Sequence, residues 1–183
     1  ALKRDIPIYT ASAGQKVEVD RYTCLDVLHP FESEGLYNEE NQNERSLVFL
    51  LHLFDARILF AGDLEKEQEQ ALVAQLKQLE NENASGKLER QTYPLILKAA
   101  HHGSNTSSSA QWLDYWKPEV TIISAGRNNL YGHPHQAVLQ RLNQLGSQIY
   151  RTDTHGEIQL KITANQMAIR TKISTNKESV YSE

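Results

Sequence analysis

The chain has 183 residues, 39% of them hydrophobic and 23% charged, enough for one domain with its own core or a large part of one. A lone cysteine, Cys24, excludes a disulfide framework and any CxxC or zinc-finger spacing, and no apolar run approaches the roughly 20 residues that cross a bilayer, so the chain is expected to be soluble. The formal net charge of −4 argues against holding nucleic acid by bulk electrostatics, because phosphate neutralisation needs a basic face, but leaves room for an enzyme that meets phosphate through bound metal.

Residues 1–14 lack periodicity, end in a Ser-Ala-Gly turn signal and read as a loop; the start at Ala1 in charged sequence suggests a piece of a longer protein. Val17 to Asp20 alternates apolar and charged residues, and YTCLDVLH at 22–29 reads as a second strand stopped by Pro30. The acidic, Asn-rich stretch 31–45 reads as a surface loop. SLVFLLHLF at 46–54 is apolar on both faces and is expected to be a buried central strand, with His52 packed in the core. It turns at Asp55-Ala56 into RILFA at 57–61, forming a hairpin.

From Glu65 to about Glu80 the period changes, and Ala71, Leu72, Leu76 and Leu79 share one face of a helix for which Asp63 is a candidate N-cap. The polar stretch 81–92 reads as a loop. A strand at 94–100 leads to His101, His102 and Gly103, and a helix at 107–116 is expected with Ser107 or Ser108 as cap. After a buried strand at 120–124 and a Gly/Asn-rich loop, Pro134 opens a helix with Ala137, Val138, Leu142 and Leu145 inward and Gly146 as its stop. Strands at 148–152, 157–163 and 167–173 complete a domain over residues 1–173, and the tail 174–183 is expected to be disordered. Alternating strands and helices in the middle, with hairpins at both ends, predict a layered α/β fold with mixed sheets. No Gly-rich phosphate loop follows any strand.

Polar side chains that do chemistry in α/β proteins sit past the carboxyl ends of strands. Three sets do so here: Asp63, the pair His101 and His102, and the Tyr131–His135 cluster with His133 and His135. Imidazole nitrogen and carboxylate oxygen without thiolate are donors for hard or borderline divalent ions, and a carboxylate can bridge two of them. Each has an ordinary alternative: the histidines as loop residues, Asp63 and the serines after Gly103 as helix caps.

Asn43 with Ser46-Leu47-Val48, LFAGD ending at Asp63, LKAAHHGS at 97–104, the serines 107–109, ISAGRNNLYGHPH at 123–135 and IYRTDTHGEI at 149–158 together carry a resemblance. In this order, over about residues 17–163, they resemble the carboxy-terminal metallo-β-lactamase-like domain of the ComEC family of competence proteins. The resemblance implies an αββα sandwich, here incomplete on its amino-terminal side. It also implies a polytopic inner-membrane protein that passes single-stranded DNA into the cell, with this domain on the extracytoplasmic side. The domain would be a nuclease using two divalent ions, manganese or zinc, to degrade the strand that is not taken up.

Carried over residue by residue, Asp63 matches the aspartate that bridges two metals, and the His101-His102 pair matches a later ligand histidine. Strand alternation would put the two histidines on opposite faces, favouring His101. His29 lies where the wider superfamily has a further histidine ligand. Ser104, Ser107 and Ser108 would donate to phosphate at a helix amino end. Lys98, Arg127 and Asn129 are phosphate-contact candidates, and His133 and His135 would face substrate.

The superfamily's first metal motif, HxHxDH, does not occur in these residues. The piece alone is therefore expected to bind metal weakly or not at all and to lack nuclease activity. Its expected partners are the rest of the membrane protein, other DNA-uptake proteins and, for the isolated piece, a second copy covering an exposed sheet edge. Two alternatives stay open: a non-catalytic scaffold binding DNA or uptake proteins, and a hydrolase of another ester on the same fold.

Overall fold

Side-chain alternation along the central strands divides the interior into two cores. A computed structural model of the chain describes residues 7, 9–32, 41–82, 94–173 and 179–182. Its strands are β1 (Lys16–Asp20), β2 (Thr23–His29), β3 (Val48–Leu53), β4 (Ala56–Phe60), β5 (Leu95–Lys98), β6 (Val120–Ile123), β7 (Gln148–Arg151), β8 (Ile158–Thr163), β9 (Gln166–Thr171) and β10 (Ser179–Ser182). Its helices are α1 (Lys66–Glu82), α2 (Ala110–Trp116), α3 (Gln136–Leu145) and α4 (Thr152–His155), with 3₁₀ turns at Gln42–Arg45 and Ala100–Gly103.

Strands β1 to β7 form one sheet in sequence order, antiparallel up to β4 and parallel from β4 to β7. Strands β8, β9 and β10 form a second, antiparallel sheet. Leu59, Leu95 and Leu97 join Leu72, Trp112, Val138 and Leu142 in the core between the large sheet and the helices. Ile58 and Ile96, one residue out of phase, join Met167 and Ile169 in the core between the two sheets. The layers run helix, sheet, sheet among the described residues, with no helical layer on the outer face of the small sheet. Because β4, β5 and β6 are parallel and adjacent, their carboxyl ends lie along one edge, which is where the candidate site forms.

Several expectations are corrected. The β3–β4 hairpin is present, and Phe49 stacks on Phe60 across it at 4.8 Å. His52, however, is half-buried, with Nε2 2.8 Å from an Asp26 carboxylate oxygen on the neighbouring strand, so it is held by a polar partner rather than packed in the core. The inward face of α1 is rotated: Glu69, Leu72 and Val73 are buried while Ala71 and Leu79 are exposed, because α1 packs against α2 as well as the sheet.

Asp63 does not cap α1; its own N–H donates to Ser46 Oγ at 3.1 Å and the helix starts at Lys66. The cap of α2 is Ser109, whose Oγ accepts from the Trp112 N–H at 3.3 Å. The cap of α3 is His135, just past Pro134, and Gly146 ends that helix at φ 80°. Part of the expected disordered tail is a strand: β10 pairs with the free edge of β9, whose backbone groups would otherwise lack partners. The tail residues 174–178 and 183, and the expected loops over 33–40 and 83–92, lie outside the described residues.

Candidate functional site

Three loops meet past the ends of β4, β5 and β6. Gly62 turns the first at φ +54°, so close to β3 that a Cβ would stand 2.9 Å from the Leu47 carbonyl oxygen. The Gly62 carbonyl accepts the His101 N–H at 3.0 Å, joining the first loop to the second. In that second loop His101 (φ 44°) and His102 (φ 56°) both take left-handed backbone, a conformation that non-glycine residues hold only where surrounding contacts impose it. The strand has ended at Lys98, so alternation no longer governs the two histidines; their rings lie 6.5 Å apart.

His102 faces Asp63. Its Nδ1 lies 2.7 Å from the Ser124 carbonyl oxygen, and a carbonyl only accepts, so Nδ1 carries a proton and the neutral ring presents its lone pair at Nε2. That Nε2 is 3.9 Å from Asp63 Oδ1. Two acceptors aimed at each other at this distance form no hydrogen bond, whereas two ligand bonds of about 2.0–2.2 Å to one ion span it. A histidine donating its other N–H to a backbone carbonyl is also how ligating imidazoles are oriented. The pair fits one edge of a divalent-ion site. Among the described residues, no group of three or more His, Cys, Asp or Glu gathers around an ion position, so the pair is a partial ligand set.

His101 points elsewhere. Its Nδ1 is buried without a hydrogen-bond partner and lies 3.6 Å from Glu65 Oε1, a carboxylate that sequence reasoning assigned only to a helix start. Asn43 Nδ2 at 3.5 Å and Thr106 Oγ1 at 3.4 Å reach the same Glu65 oxygen. The His101 ring is 5.9 Å from that of His133, whose Nδ1 is also buried and unpaired. Burial, and then the neighbouring His101, His102 and His135, hold His133 below the ordinary imidazole value.

The other candidates sit around this rim in different roles. Burial lowers the Lys98 ammonium pKa while Asp63 opposes the shift, and its Nζ donates to the Ala99 carbonyl at 2.8 Å. Asn129 builds the third loop: its amide donates to the Gly126 and His133 carbonyls and accepts the His133 N–H at 2.9 Å. His135 is exposed and spends Nδ1 on the Ala137 N–H at 3.2 Å, while its own N–H donates to the Gly103 carbonyl. Arg127 Nε donates to the Asp153 carbonyl at 3.4 Å.

His29 is fully buried, its Nδ1 2.8 Å from the Ser46 carbonyl oxygen and its ring edge-on to Phe31. Ser46 links it to the site, its carbonyl meeting His29 and its hydroxyl accepting the Asp63 N–H.

The serines are turned inward. Ser104 Oγ pairs with Thr106 Oγ1 at 3.0 Å, and the Ser107 hydroxyl donates to the Ala100 and Ser104 carbonyls. Ser107 and Ser108 are 1% and 0% exposed. The backbone N–H groups of Ser108 and Ser109, which a phosphate was expected to meet, instead donate to the buried Glu69 carboxylate at 2.6 and 2.8 Å. Arg141 donates to the Ser107 and Ser108 carbonyls from the other side. Spacing is the signal that marks Glu69, which lies three residues before Leu72 and seven before Leu76 and so shares their face of α1 despite its charge.

Residues 9–127, a span that holds Asp63, His101 and His102 but stops short of His133, match the family model described as the metallo-beta-lactamase superfamily. The chain is 35% identical over 121 residues to the ComE operon protein 3 of Bacillus subtilis, covering 66% of this chain and 14% of that protein. It is 34% identical over 135 residues to the competence protein ComA of Neisseria gonorrhoeae, covering 74% and 17%. To recombination protein 2 of Haemophilus influenzae it is 32% identical over 135 residues, covering 72% and 15%. The chain thus spans between 14% and 17% of the length of these curated relatives. By fold, family match and relatives alike, it belongs to the metallo-β-lactamase superfamily, with competence proteins as homologues across most of its length.

Proposed function

We propose that this domain is a metal-dependent phosphodiesterase that cleaves single-stranded DNA as part of a DNA-uptake protein, degrading the strand that is not transported. The superfamily usually binds metal ions. The observation that carries the reading is the Nε2 lone pair of His102 held 3.9 Å from Asp63 Oδ1 by the Ser124 carbonyl. An ion bound there, manganese or zinc, supplies Lewis-acid stabilisation of the charge on a phosphate ester. Asp63 and His102 would hold it, Ser124 keeps His102 in the ligating tautomer, and His133 and His101 with Glu65 line the adjoining rim. A second ion needs donors beyond this pair, so these 183 residues alone are inactive.

The whole protein on this reading is an inner-membrane protein with the domain on the extracytoplasmic side, working with other uptake proteins. No described helix is itself long and apolar enough to cross a membrane. In isolation, two copies pair along β1, an edge strand with every residue exposed.

The test is cleavage of single-stranded DNA in manganese or zinc by the full-length gene product, its Asp63→Ala variant and this chain. Activity confined to the full-length protein and abolished by Asp63→Ala is expected. A full-length protein inactive with every metal, yet still binding DNA, would overturn the reading in favour of a scaffold.

A further inference from the structure

A row of rings leads outward from the candidate site and ends in open solvent. From His102 the ring of His101 is 6.5 Å away, that of His133 is 5.9 Å beyond it, and that of Tyr131 a further 5.8 Å. Tyr131 lies nearly parallel to His133, at 21°, so one face of the phenol ring is set against the imidazole. Its other face is free: Tyr131 is 82% exposed and its neighbour Leu130 is 100% exposed. Two large side chains side by side at the rim of a site leave an apolar surface that a partner can cover.

The loop that carries them is not loose. Asn129 bonds the Gly126 and His133 carbonyls and the His133 N–H, so the turn is closed directly beneath Tyr131. Gly132 supplies the left-handed step at φ +67° that brings His133 back under the ring. A flat surface already fixed in place loses little freedom when a partner lands on it.

We propose that Tyr131 is a stacking platform for an unpaired nucleobase of the strand whose phosphate lies at Asp63 and His102. This rests on the phosphodiesterase reading for the position of the phosphate and adds the reason the site takes single strands. In a duplex each base face is covered by its neighbours, whereas an unpaired base offers its π-face to an aromatic side chain. The chemistry also suits a chain of net charge −4, which lacks the surplus of cations that duplex-binding proteins use. Stacking adds affinity without neutralising phosphate.

The experiment measures binding of a fluorescein-labelled oligothymidine, and of an abasic strand of the same length, to the full-length gene product without added metal. We expect Tyr131→Ala to weaken the base-bearing strand about tenfold and leave the abasic strand unchanged. Tyr131→Trp and Tyr131→Phe retain binding, and the salt dependence of wild type and Tyr131→Ala is the same. Equal loss on both strands, or no loss on the base-bearing strand, overturns the proposal. Cleavage followed in parallel with manganese or zinc separates the two ideas: Tyr131-dependent binding without cleavage retains the platform and removes the phosphodiesterase reading. Cleavage with unchanged Tyr131→Ala binding does the reverse.

Discussion

Asp63 Oδ1 and His102 Nε2 stand 3.9 Å apart across the ends of β4 and β5, with the Ser124 carbonyl at the end of β6 fixing the imidazole from behind. Three parallel strands thus contribute one atom each to a single geometry: a carboxylate, a lone pair and the acceptor that orients it.

Asp63→Ala and His102→Ala are each expected to reduce manganese or zinc affinity of the full-length gene product at least about tenfold by titration calorimetry. His101→Ala should have the smaller effect, because its Nδ1 is directed towards Glu65. A larger loss for His101→Ala would reverse the assignment within the pair.

Glu69→Gln should destabilise the fold by about 1–3 kcal/mol in chemical denaturation, because an amide cannot accept both the Ser108 and Ser109 N–H groups on carboxylate oxygens. Burial raises the Glu69 pKa above the ordinary value of 4.5, against the opposing Ser108, Ser109 and Arg141 interactions. Between 4.5 and the raised value the folded chain keeps a proton that the unfolded chain releases, so stability falls as pH rises through that window. The variant lacks this slope; identical pH profiles would remove Glu69 from the account.

His29 should show the opposite slope. Burial lowers its pKa from 6.5, with the Ser46 carbonyl acting the other way. As pH falls below 6.5 the unfolded chain takes the proton first, and stability is lost until the folded value is reached. Comparing wild type with His29→Gln at about pH 7.5 and about pH 5.5 isolates this contribution. An unchanged difference between the two pH values would show that folding leaves the His29 pKa where it is in the unfolded chain.

Gly103→Ala should cost more than Gly146→Ala, although both sit at positive φ. Gly146 at +80° has open space around it, and a Cβ there costs about 1 kcal/mol of backbone strain. At Gly103 (φ +79°) the added Cβ would meet Pro134 Cβ at 2.7 Å and Ile123 Cγ2 at 3.3 Å, adding about 1–3 kcal/mol of overpacking and pushing the third loop away from His101 and His102. Thermal unfolding of the two variants ranks them, and equal midpoints would show that the 103–134 contact yields freely.

The features legible in the sequence were those set by neighbours along the chain. The β3–β4 hairpin, the strand before His101 and the stop at Gly146 each follow from local apolar patterning or a left-handed residue, and each is present. Asp63 and the histidine pair stood out because polar residues followed buried strands. Which of the two histidines lies beside Asp63 was not legible: alternation holds only while a strand continues, and here it ends at Lys98, three residues before His101.

Ser107, Ser108 and Glu69 mark the same boundary from the other direction. A serine run beside a helix start has the local chemistry of a phosphate cradle, and Glu69, by its charge, has that of a solvated helix face. Packing α1 and α3 against the loop between them turned those N–H groups onto Glu69 and those carbonyls onto Arg141, filling the cradle from within. The sequence by itself determined the layered fold and the strand ends that carry the candidate site, because periodicity and turn chemistry act over a few residues. Which donors face one another, and which polar groups are spent inside, was decided only by the tertiary structure, because those contacts join residues 39 to 40 positions apart, as for Glu69 with Ser108 and Ser109, or bring together the ends of separate strands, as for His102 with Asp63 and Ser124.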